Sequence, residues 1–184
     1  MINKVIPHLL TYPRSGSHYF DDMLYEEEKI HFTKSHYLDQ LFDSDGNKRR
    51  TIITIARDPL DSISSYLALN DYRYSFEDER VFLIKEKIAE YVLMYSFLYY
   101  NADYVIDFND LVKHPKPVIK TILGLLNIDK NTYKWFDESD IEKYKGFKPS
   151  SKSLSSYDRG MLDGFDISLC YYYYYKLLEN KIII

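Results

Sequence analysis

A three-layer α/β/α domain, with helices on both sides of a central parallel sheet of about four or five strands, is the architecture this sequence predicts. Apolar, β-branched runs alternate along the chain with longer stretches at helical spacing, the order expected of a parallel sheet flanked by helices. One run, TIITIA at 51–56, is apolar or threonine throughout, as a strand covered on both faces must be. The length of 184 residues suits one domain spanning 1–184.

Val5 to Thr11 reads as the first strand, Lys29 to Lys34 as the second, Thr51 to Ala56 as the third and Tyr104 to Phe108 as the fourth. Ser17 to Glu28 forms a helix between the first two. Pro59 to Asn70 forms another, with Asp58 placed to cap it and Pro59 suited to the first helical position. Ser75 followed by Asp78 has capping-box spacing and opens a long helix to about Tyr100. Val81, Ile84, Ile88, Val92, Tyr95 and Leu98 give that helix one buried stripe. Pro115 to Leu126 is a further helix. Asp129 to Asp158 is polar and reads as an exposed connection with a short helix around Trp135. A last helix covers about Asp166 to Glu179. It contains Tyr171 to Tyr175, five consecutive tyrosines that would surround the helix and so cannot form one binding face.

Composition excludes several classes of protein. A 46% hydrophobic, 28% charged chain is not wholly disordered. A net charge of −4 gives no general attraction for nucleic acid, so any anion site must be local. The start has only a short apolar run broken by Pro7 and His8, too short for a membrane span and without a signal-peptide cleavage region. Cys170 is the lone cysteine, so neither an internal disulfide nor a multi-cysteine metal site is possible. The five histidines lack metal-ligand spacing, so no metal is expected. A cytoplasmic location is the expectation.

In open parallel sheets ligands bind at the carboxyl ends of the strands. After the first strand comes TYPRSGSHYF: Pro13 stiffens the entry, Gly16 lets the backbone turn, and Ser15, Ser17 and His18 add short donors. A helix start behind this loop turns N–H groups and a positive dipole toward an anion, and Arg14 adds a charge. The GxxxxGK[ST] spacing of a nucleoside-triphosphate loop is absent. After the second strand, Lys34 and His36 fall on one side of the chain, suited to charge stabilisation and proton removal, or else to a solvated strand end. After the third, Arg57 precedes a capped helix. It serves either an anion or a structural ion pair with Asp58 or Asp61.

Taken together and in order, these segments resemble the PAPS-dependent sulfotransferases, where PAPS is 3′-phosphoadenosine 5′-phosphosulfate. TYPRSGSHYF is similar to their 5′-phosphosulfate loop, TYPKSGTTW, and Lys34-Ser35-His36 to their lysine–x–histidine. RDPLDSISSY resembles the 3′-phosphate motif RNPKDVAVSY, with Arg57 and Ser65 at the matching separation. IDFNDLVKHP resembles FYEDLKKDP. The four matches span residues 9 to 117.

The resemblance implies a short member of the P-loop-like sulfotransferase fold, a transferase that moves a sulfuryl group from PAPS to a hydroxyl or amine and releases PAP. It implies that Arg14 lies beside the bridging oxygen of the donor, that Ser15, Gly16, Ser17 and His18 hold the 5′-phosphate, and that Arg57 and Ser65 hold the 3′-phosphate. Tyr19 falls where the family packs a tryptophan on adenine, and Phe108 where it has a tyrosine near the base. His36 would be the general base and Lys34 a stabiliser of the transferring group. Arg159, in Asp158-Arg159-Gly160, stands for the family's late arginine–lysine–glycine segment at the 3′-phosphate. The acceptor would be a small molecule or glycan-like compound. Three departures stand out: arginine replaces the loop lysine, no leucine–proline follows His36, and the chain is short for the family. Two rivals remain open, a PAP- or PAPS-binding module without turnover and a small ATP-dependent kinase.

Overall fold

The computed structural model describes residues 7–13, 15, 16, 20, 33–36, 38, 51–70, 77–127 and 156–181, with backbone alone at 33–35, 69, 70 and 156–158. Its elements run β1 (His8–Leu10), β2 (Thr33–Ser35), β3 (Ile52–Ala56), α1 (Pro59–Asn70), α2 (Glu77–Asn101), β4 (Tyr104–Asp107), α3 (Phe108–Lys113), α4 (Pro115–Leu125), α5 (Ser156–Asp163) and α6 (Ser168–Glu179). The four strands form one sheet in the order β2-β1-β3-β4, every pair parallel. The registers Leu10↔Ser35 and Ala56↔Asp107 bring the carboxyl ends of neighbouring strands level. Lys181 adds a parallel bridge to Val105 beyond β4.

Strand alternation divides the interior into two cores. Leu10, Ile52, Ala56 and Val105 face one way and pack with α1, α2, α5 and α6. Leu9, Ile53, Ile55 and Ile106 face the other way and pack with α3, α4 and Phe20. The sheet is therefore covered on both faces, which explains why β3 is buried at all five positions. From β1 the chain moves to β2 on one side, and from β3 it moves to β4 on the other. Two right-handed crossovers in opposite directions must use opposite faces. Phe20, between β1 and β2, lies in the second core, while α1 and α2, between β3 and β4, line the first.

Asp58 caps α1 as its sequence implies: its Oδ1 accepts from Asp61 N at 3.1 Å. Several boundaries differ from expectation. Phe108 is not the end of β4 but the first residue of α3, because the Asp107 carboxylate accepts from Asn109 N at 2.9 Å and starts a helix there. The last three residues of the expected connection, Ser156 to Asp158, instead open the helix Ser156–Asp163, whose Leu162 finds a place in the first core. The buried stripe of α2 is Leu83, Ile84, Lys87, Tyr91, Met94, Tyr95 and Leu98. Val81, Ile88 and Val92 are only half-buried, so the stripe is turned by about one residue from the one expected. In α6 only Tyr174 of the five tyrosines is buried. The remainder of the expected first helix, the Ser75 cap and the helix around Trp135 lie outside the described residues. No helix among the described residues is long and apolar enough to cross a membrane.

Candidate functional site

The sheet order creates a switch point. The chain departs from β1 toward β2 on one side, and β3 with β4 occupies the other, the arrangement at which open parallel sheets bind ligands. At this end of the sheet stand Thr11, Tyr12, Pro13, Ser15 and Gly16 after β1, Arg57 and Asp58 after β3, and Phe108 after β4.

Gly16 and Arg57 meet across one aromatic ring. Gly16 has φ +92°, a conformation side chains rarely adopt, and a Cβ built there would lie 2.7 Å from Phe108 Cε2 and 2.8 Å from Cδ2. The Arg57 guanidinium carbon lies 4.5 Å from the centroid of the same ring. Cations are attracted to aromatic faces at such distances. The β1 loop itself is tightened by Ser15 N donating to Tyr12 O at 3.2 Å, and a helical bond from Phe20 N to Gly16 O follows. The buried Ser15 hydroxyl lies by the Tyr95 hydroxyl without a well-formed hydrogen bond.

Beneath Arg57 stands a tyrosine cluster. Tyr91 donates to Arg57 O at 2.6 Å and Tyr95 to the same oxygen at 3.1 Å, while Arg57 N donates to the Tyr95 hydroxyl at 2.9 Å. Tyr91 and Tyr95 stack at 3.9 Å, and Tyr12 meets Tyr91 edge-on at 5.0 Å. The Tyr12 hydroxyl donates to Lys87 O at 3.2 Å. Burial pushes all three phenols above their ordinary pKa, so they remain protonated donors. Sequence reasoning placed Tyr95 in the core stripe but missed this role. The available signal was two tyrosines four apart on one helix face, whose hydroxyls must find partners when buried.

His36 lies against the end of β1. Its Nδ1 is 2.6 Å from Thr11 O, and a carbonyl can only accept, so Nδ1 carries a proton and Nε2 is the nitrogen that holds the lone pair in the neutral ring. Lys34 pairs through its backbone with Leu9. Ser65 is half-buried on α1. Arg159 is exposed on α5, which packs against α1. Arg14, Ser17, His18 and Tyr19 lie outside the described residues, as do the side chains of Thr33 to Ser35.

A second cation sits close to the cluster and has a different life. Lys87 is buried, yet its Nζ lies 2.8 Å from Glu90 Oε1 and 3.1 Å from Glu86 Oε1, and 4.7 Å from the Tyr66 ring centroid. Burial alone would lower its pKa, but the bonds to Glu90 and Glu86 outweigh that and raise it. Its own helix neutralises it, so it is a structural charge. Among the described residues no three His, Cys, Asp or Glu side chains gather as a metal site. Comparison with protein-family models and with curated proteins returns no match.

Proposed function

We propose that the protein is a PAPS-dependent sulfotransferase of the P-loop-like sulfotransferase fold, using PAPS as donor and releasing PAP. The observation that carries this reading is the meeting of Gly16 and Arg57 on Phe108, at the carboxyl ends of β1, β3 and β4. Two expected anion-binding segments, with Gly16 and Arg57 41 residues apart in sequence, come to one aromatic ring. The residues also fit a doubly phosphorylated adenosine chemically. The buried Ser15 hydroxyl lacks a well-formed bond and can donate to a phosphate oxygen. Arg57, half-buried and held by its backbone, brings a planar, permanent cation of the kind that pairs with phosphate.

In this reading Ser15, Gly16, Ser17 and His18 hold the 5′-phosphate, Arg57 and Ser65 the 3′-phosphate, and Tyr19 and Phe108 border the base, with Arg159 of α5 completing the 3′ side. PAPS supplies an activated sulfuryl group. Thr11 O fixes the His36 ring, and Nε2 takes the proton of the acceptor hydroxyl or amine as that atom bonds to sulfur. The sulfur–oxygen bond to the 5′-phosphate breaks, and its electron pair leaves on PAP. Arg14 and Lys34 offset the charge that grows on the oxygens around sulfur.

The test is binding calorimetry with PAP, AMP and ATP, without added magnesium. PAP should bind tightest, because only it presents a 3′-phosphate to Arg57. Equal affinity for PAP and AMP would remove the reading, and tight magnesium-dependent ATP binding would favour a kinase. Turnover is then read by mass spectrometry of small alcohols, phenols, amines and saccharides incubated with PAPS, as a gain of one sulfuryl group. Binding without any such gain would favour the module that has no turnover.

A further inference from the structure

We infer that Tyr91 and Tyr95 are positioning residues that set the preference for a 3′-phosphate by clamping the backbone of Arg57. This rests on the proposed role of Arg57 and extends it to residues that touch no ligand. An arginine at the end of a strand can swing with its peptide plane, and a small rotation at Cα moves a guanidinium by several times as much. Here both polar groups of that residue are engaged by one pair of rings: Arg57 N by Tyr95, and Arg57 O by Tyr91 and Tyr95. The rings are themselves fixed. They stack on each other at 3.9 Å, and Tyr12, from the β1 loop, closes on Tyr91 at 5.0 Å. Tyr95 also adjoins the Ser15 hydroxyl, so one phenol stands between the loop after β1 and the residue after β3. Burial leaves no water to substitute for these bonds: Tyr91 and Tyr95 are fully covered. The pair therefore ties the spacing of the two proposed phosphate subsites to a rigid helix. Holding binding groups in place before the ligand arrives reduces the ordering cost of binding.

The experiment compares Tyr91→Phe/Tyr95→Phe with wild type, reading PAP and AMP affinity by calorimetry and Arg57 amide hydrogen exchange by NMR. Both rings stay, so packing is retained while the hydroxyls go. PAP should bind about tenfold more weakly and AMP should change by less than about twofold, the loss expected when two to three modest hydrogen bonds no longer orient a charge. The Arg57 amide should exchange faster. Ile119→Ala, which opens the opposite core, should lower stability without moving the PAP-to-AMP ratio, so a general loss of stability cannot mimic the result. Should the double variant fail to fold, Tyr95→Phe alone removes the bond from Arg57 N to Tyr95 and should still speed its exchange and lower the ratio. An unchanged ratio, or an unchanged exchange rate at Arg57, overturns the clamp. The two ideas fail differently. If wild type does not prefer PAP, or Arg57→Ala leaves the preference intact, the proposed function falls even where exchange shows that the clamp exists.

Discussion

The two faces of the sheet are packed with different chemistry. On the α3–α4 side the hydrophobic cluster of described residues is Leu9, Ile53, Ile55, Ile106, Leu111, Val118, Ile119, Ile122 and Leu123 with Phe20, and it contains no buried tyrosine. On the α1–α2–α6 side aliphatic residues share the space with Tyr12, Tyr91, Tyr95 and Tyr174. Every buried phenol needs a hydrogen-bond partner, and three of the four donate to carbonyls: Tyr12 to Lys87 in α2, Tyr91 and Tyr95 to Arg57 after β3. An aliphatic core holds elements together without orienting them, since the hydrophobic effect has no direction. A tyrosine core also orients, because each hydroxyl selects one acceptor. The division of labour is thus written in residue type: one face stabilises the sheet, and the other aims the loops at its end.

The largest effect should come from a residue that belongs to neither core. His36→Ala should lower turnover by about 10²–10⁴-fold, the usual range for losing a general base, with PAP affinity close to wild type. His36→Gln should not rescue, because an amide cannot take the proton. A loss below tenfold in both variants would move the base elsewhere, and a matched loss of PAP affinity would make the histidine structural through its bond to Thr11 O.

Truncating the aliphatic face should cost stability alone. Ile119 is 1% exposed, and Ile119→Ala should destabilise by about 2–5 kcal/mol in urea unfolding, the range for opening a cavity in a packed core. The PAP-to-AMP preference of the folded fraction should not change. If it does change, the faces are not separable and both aim the loops.

How far the sequence spoke for these regions follows the same line. Strands β3 and β4, the capped helix α1 and the long helix α2 were legible because apolar runs, Asp58-Pro59 and a helical stripe are local signals. The opposition of Gly16 to Phe108 was not, for it joins residues 92 apart that no pattern pairs. The apolar run at 104–108 points to Phe108 as the end of a strand, and the Asp107 cap shows why the chain turns there into a helix. The observed stripe on α2 runs through Lys87 and Tyr91, which the expected stripe did not include. Each is buried through a partner supplied by tertiary structure or by its own helix: Tyr91 by Arg57 O, Lys87 by Glu86 and Glu90. The place of Arg57 at a strand end marks it as a candidate for an anion or an ion pair, but its anchoring was hidden in those same tyrosines.

The smallest expected effect sharpens the comparison at the one place where the faces meet. Phe108 packs against the aliphatic core and also covers Gly16 and the Arg57 guanidinium, so a change at Gly16 should register in both stability and binding. Gly16→Ala imposes two costs. A residue with a Cβ must hold φ +92°, and that Cβ would sit 2.7 Å from the Phe108 ring unless the ring moves. Backbone strain of this kind costs about 1–3 kcal/mol. Moving the ring adds a second penalty and withdraws the surface on which Arg57 rests. Gly16→Ala/Phe108→Ala separates the two, since deleting the ring relieves the contact but leaves the backbone strain. Adding Gly16→Ala to Phe108→Ala should therefore destabilise by less than adding it to wild type, and the difference measures the contact. If the two increments are equal in urea unfolding, the Gly16 requirement is one of backbone conformation alone. Phe108 would then serve the arginine and not the loop.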